Sequence, residues 1–264
     1  MPPGRRPALA LILGLAIAPI ARADDPPPDV TKPPAADDFL VIPIRVHVLT
    51  SADLPDVDCA LTDADIRRVV AKVNGIWDKA GVHWGLESIV REPAARQDRF
   101  ERSLQGGRVV DLGTLRMLAP DASRSTEGVD VYYIHRFPVN GIFLGDRMAF
   151  VQETARLRPV PGGIDEPLPR VTAHELGHAL DLPHRQAVTN LLASGTTGTI
   201  LNRAEVSRAR RASAAIPGAR AVPDLRKEAE EADARGEHAG ARRLRGWLAE
   251  VAGDGAADLR PGTP

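Results

Sequence analysis

A chain of 264 residues favours one medium-sized domain with accessory segments over two full domains. Its 43% hydrophobic fraction is enough for a packed core, and 34 Lys and Arg against 35 Asp and Glu leave it almost neutral. That balance argues against a nucleic-acid partner, which calls for a strong basic excess, and the single cysteine, Cys59, excludes an intrachain disulfide.

Taken from the start, Arg5 and Arg6 precede an apolar run over residues 8–20, and Ala21-Arg22-Ala23 follows with small residues flanking a variable one. This is the pattern of a cleavable signal peptide over residues 1–23, cut after Ala23. The run is too short to span a bilayer, so the expected mature protein is secreted or periplasmic, with no membrane contact once the signal is removed. Residues 24–38, with Pro26, Pro27, Pro28, Pro33 and Pro34 among acidic neighbours, read as an extended linker.

A catalytic domain is expected over 39–216. Ile42, Ile44, Val46 and Val48 alternate with Pro43, Arg45 and His47, which predicts a strand with one buried face. Thr62 with Asp65 three residues on marks a helix start. Ile66, Val69, Val70, Val73, Ile76, Trp77 and Ala80 then recur at helical spacing until Gly81. Alternation resumes at Val82, Trp84 and Leu86. A polar, Arg-rich stretch from Arg91 to Arg108 reads as a loop or irregular helix. Strands are then expected over 129–137 and 148–151. The order of elements predicts an α/β domain with a mixed twisted sheet and one site-bearing helix. That helix is expected from Pro169, followed by another over 202–215. Residues 217–264 form a helical extension, with Leu225, Ala229 and Ala232, then Leu244, Trp247, Leu248 and Val251, on two short amphipathic helices.

The chemistry concentrates in H-E-L-G-H-A-L-D-L-P-H, residues 174–184. On a helix His174 and His178 project from one face, one turn apart, and can share an ion. Glu175 is turned about 100° away, beside the ion rather than on it. His184 can join them only if the helix ends near Leu180 and the chain bends back. Asp181 tolerates a left-handed residue there, and Pro183 cannot extend the helix. Three histidines with no fourth protein ligand are the donor set of a catalytic zinc site, with Glu175 as the general base that takes a proton from water. Imidazoles suit zinc better than magnesium or calcium.

With these residues the sequence resembles the metzincin clan of zinc proteases, and V-T-A-H-E-L-G-H-A-L is most similar to its matrixin-type members. The resemblance covers 39–216 in architecture and 171–196 in motif. It implies a zincin-like fold, Zn2+ on His174, His178 and His184, Glu175 as base, and endopeptidase activity on extended peptide or protein substrates. It further implies that an edge strand ahead of the zinc helix, here Arg147 to Val151, pairs with substrate. Two positions depart from the clan. Asp181 replaces its glycine, at about 1 kcal/mol. Leu192, in Thr189-Asn190-Leu191-Leu192-Ala193-Ser194-Gly195, replaces the methionine of the turn below the metal. These departures leave an alternative, a zinc-binding pseudoenzyme or binding protein with little turnover. A gluzincin-type arrangement would instead recruit Glu205. Cys59 lacks the sequence context of a cysteine switch and reads as a buried, inert thiol. His47, His83 and His135 read as packed or solvated, and both tyrosines, Tyr132 and Tyr133, lie upstream of the motif.

Overall fold

A computed structural model describes residues 34–105 and 112–253 of the chain. The expected signal peptide, its expected cleavage point and most of the expected linker lie outside those residues. The first strand, β1 (Leu40–Thr50), is rich in β-branched residues and lies inside the sheet, one strand from an edge. It pairs in parallel with β2 (Val82–Pro93) on one side and with β3 (Val129–Ile134) on the other. Beyond β3 comes the parallel strand β5 (Met148–Gln152), and the antiparallel strand β4 (Gly141–Phe143) closes that edge. A short strand, β6 (Arg220–Ala221), adds antiparallel to the start of β1. The architecture is therefore α/β with a mixed sheet.

Alternation in β1 predicts one buried face, yet both faces are covered. Ile42, Ile44, Val46 and Val48 meet α1 (Asp63–Trp77) and α3 (Pro167–Ala179). On the opposite face His47 is wholly buried, with Nδ1 2.7 Å from Glu92, Nε2 3.1 Å from Asp130, and its ring stacked on Tyr132. Polar residues at alternate positions thus mark a buried polar cluster rather than a solvent face, because carboxylates on neighbouring strands satisfy the imidazole. The rest of that face is covered at one end by Phe100, Leu115, Leu118 and Phe137. At the other end Phe39 and Val41 are covered by α5 (Val222–Ala234) and α6 (His238–Ala252), an antiparallel pair anchored by Trp247, whose Nε1 donates to the Leu86 carbonyl at 3.2 Å.

Helix α1 starts as its sequence predicts. Thr62 caps it, and Asp65 returns the bond to the Thr62 backbone. The described part of the Arg-rich stretch, residues 91–105, holds the end of β2 and a helix, α2 (Gln97–Gln105). Strand β4 has no counterpart among the predicted elements. Three residues are too few for a periodic signal. After the site-bearing helix, α4 (Arg203–Ser213) begins with a second reciprocal cap between Asn202 and Glu205.

Candidate metal centre

Helix α3 starts with Pro167 and Pro169 in its first turn, where a missing N–H costs nothing. Residues 168–177 are all buried, so the helix runs through the core rather than along the surface. Arg68 and Lys72 of α1 both pair with Glu166 at its N-terminus. Its end is a Schellman turn: Leu182 N–H donates to Gly177 O and Asp181 N–H to His178 O, both at 3.0 Å. Asp181 supplies the left-handed residue, at φ +63°. Arg208 of α4 donates twice to the Asp181 carboxylate, at 2.7 and 3.0 Å.

This turn carries His184 back over the helix. His174 and His178 project from one face, and the Nε2 atoms of His174 and His184 each lie 3.2 Å from Nε2 of His178. All three side chains offer donor atoms within 4.8 Å of one another. The tautomers follow from the other ring nitrogens. Nδ1 of His174 is 2.7 Å from the Leu191 carbonyl, and Nδ1 of His178 is 2.7 Å from that of Leu182. A carbonyl only accepts, so each Nδ1 carries the proton and each Nε2 presents a lone pair. Lone pairs converging at 3.2 Å repel one another unless a cation lies between them. Imidazole donors oriented by backbone carbonyls fit zinc.

Glu175 is 5% exposed and lies on the side of α3 that faces β4. A Cβ at Gly141 would stand 2.8 Å from its Oε1 and 2.6 Å from Val171, so glycine lets strand and helix approach this closely. Burial pushes the Glu175 carboxyl up to about 8, opposed by a hydrogen bond from the Phe143 backbone and by the charge of Arg170. Burial and the nearby Arg170 cation hold His174 down at about 3. A cleft of about 780 Å3 runs over the three histidines and Glu175, walled by Gly141, Ile142 and Phe143 on one side and Ser194 and Gly195 on the other.

Residues 147–151 do not form the substrate-facing edge expected of them. Strand β5 has β3 on one side and β4 on the other, so its backbone is spent, and among the described residues β4 holds the open edge beside the cleft. Glu205 is not drawn to the histidines. It is wholly buried and bonded to Arg185 at 2.5 Å, to the Asn190 amide at 2.9 Å and to Asn202 N–H at 2.7 Å. Leu192 is wholly buried against α3 beside Gly177. Cys59 is buried against Glu153, with its thiol pKa raised by desolvation. Neither tyrosine lines the cleft; Tyr133 bonds Thr172 inside the core. Arg170 is not among the expected site residues, although a charged residue four places before His174, in an otherwise largely apolar turn, is a legible signal.

No protein-family model matches the sequence, and a comparison with curated proteins finds no match either. Among solved structures, archaemetzincin from Methanopyrus kandleri is similar at 14% identity and a TM-score of 0.42, over 66% of this chain and 96% of that one. Metalloproteinase-II from Bacteroides fragilis is similar at 13% identity and a TM-score of 0.40, over 65% of this chain and 53% of that one. A chaperone–substrate complex overlaps at 12% identity and a TM-score of 0.37, over 66% of this chain and 34% of that one. Overlap at these scores carries no inference about activity, so the reading of the site rests on its own geometry.

Proposed function

We propose that the chain is a zinc-dependent endopeptidase, secreted or periplasmic, with His174, His178 and His184 as metal ligands and Glu175 as general base. The observation that carries the reading is the convergence of three imidazole Nε2 atoms beside a buried carboxylate in an open cleft. When bound there, zinc supplies Lewis acidity toward water and the scissile carbonyl. The chain's own residues do the rest. The Leu182 and Leu191 carbonyls keep both helix imidazoles in the ligating tautomer. Glu175 accepts a proton from the attacking water and returns it to the leaving amine. The open edge of β4 binds extended peptide by strand addition, which presents the scissile bond to the cleft.

Export is supported by Arg5, Arg6, the apolar run over 8–20 and Ala21-Arg22-Ala23. The proposed organisation is a signal peptide over 1–23, a linker over 24–38, a catalytic domain over 39–216 and a helical extension over 217–264. Metal analysis of the purified protein, paired with digestion of a mixed-peptide library, tests the function. The proposal expects zinc near one per chain, cleavage by the wild type, and none by Glu175→Gln at unchanged zinc content. Zinc without cleavage in the wild type would identify a zinc-binding pseudoenzyme instead.

A further inference from the structure

Arg170 lies one helical turn before His174 and is 1% exposed. A guanidinium carries five N–H donors and no acceptor. Three of them are spent on the loop beneath the site. Nε donates to Gly198 O at 3.1 Å, and Nη2 donates to Asn190 O at 3.3 Å and to Ala193 O. Nη1 has a different neighbour, Nδ1 of His174 at 3.2 Å. That nitrogen gives its own proton to Leu191 O and has no lone pair to offer. Nη1 is therefore left without an acceptor among the described residues. The nearby carboxylate that interacts with Arg170 is Glu175, which forms no ion pair with it. Arg170 and His174 both line the cleft, next to Val171, Leu157, Ser194 and Gly195. A buried cation with unspent donors at a cleft wall is half of an ion pair.

We propose that the missing half arrives with the substrate: Arg170 makes the cleft select peptides with an acidic side chain beside the scissile bond. The inference rests on the peptidase reading and names its substrate class. A carboxylate accepts from Nη1 and brings the opposite charge to the buried guanidinium. A neutral amide of the same shape brings only a dipole, and an aliphatic side chain leaves Nη1 without an acceptor.

Matched peptides carrying Glu or Gln at either position flanking the scissile bond isolate the charge, because the two side chains are nearly isosteric. The wild type is expected to favour Glu in kcat/KM by ~10-fold or more at one of the two positions, as for one charge-assisted hydrogen bond. Arg170→Met should bring the ratio to about one, and Arg170→Lys, which keeps charge without the fork, should retain part of it. The ratio is taken within each variant, so a general loss of activity cancels. If Arg170→Met does not fold, Arg170→Gln gives the same comparison. A wild-type ratio near one at both positions, or an equal ratio in wild type and uncharged variant, overturns the proposal and leaves Arg170 as a loop clamp. Fluorescence anisotropy of the same peptides on zinc-loaded Glu175→Gln separates the two readings. If the wild type cleaves nothing, the peptidase reading fails, and the Glu-to-Gln binding ratio alone decides the role of Arg170.

Discussion

At Asp181 two opposing terms meet in one residue. Its φ of +63° suits Gly best and costs Asp a little, while its carboxylate holds Arg208. The pair is exposed and contributes at most about 1 kcal/mol, close to the backbone strain that a glycine would relieve. Asp181→Gly should therefore stay within about 1 kcal/mol of wild type in denaturant unfolding, whereas Asp181→Val, which is β-branched at positive φ, should lose stability clearly. A large loss in the glycine variant would mean that the Arg208 pair matters far more than its exposure indicates. Gly141 poses the opposite case, since its want of a side chain is what admits Glu175 and Val171. Gly141→Ala should lower kcat by ~10- to 100-fold through displacement of Glu175, with zinc content intact. Unchanged kcat would show that β4 does not fix the carboxylate.

Among elements, the loop between His184 and α4 depends on two buried charges approaching from opposite sides. Arg170 of α3 binds its carbonyls, and Glu205 of α4 binds Arg185 and the Asn190 amide. Leu192 fills the space between that loop and α3. A methionine there has a similar volume, so Leu192→Met should cost under about 1.5 kcal/mol, whereas Leu192→Ala should cost about 2–5 kcal/mol by thermal unfolding. An equal loss in both would point to a specific need for the branched side chain. Glu205→Gln should loosen the same loop, yet reduce zinc stoichiometry less than His184→Ala does, because Glu205 has no free oxygen to give a metal. The reverse ranking, read by metal analysis, would reinstate Glu205 as a ligand.

For the molecule as a whole, the cleft and the α5–α6 pair lie on different faces of the sheet and belong to different apolar clusters. Trp247 is the largest side chain joining α6 to the sheet. Trp247→Ala should cost about 3 kcal/mol or more in stability while leaving the zinc content of the folded protein unchanged. Loss of zinc binding in that variant would reveal coupling across the sheet. A ligand that binds only the folded chain stabilises it by mass action, so chelation should lower Tm and added zinc should restore it, by about 4 kcal/mol at a thousandfold excess over Kd. An unmoved Tm would argue against a metal on the three histidines.

Much of this was legible in the residues alone. The capping box at Thr62, the i and i+4 histidines, the helix stop at Asp181 and the return of His184 are all written within a few residues of one another, where local stereochemistry decides. The burial of His47, the pairing of β5 on both sides, the open edge at β4 and the unspent donors of Arg170 depend instead on segments far apart in sequence. Periodicity reports which residues share a face, not what covers that face, and a strand becomes an edge only through what fails to pair with it. The sequence therefore determined the candidate ligands and the helix that presents them. Packing alone decided which strand meets the cleft and which charge waits at its wall.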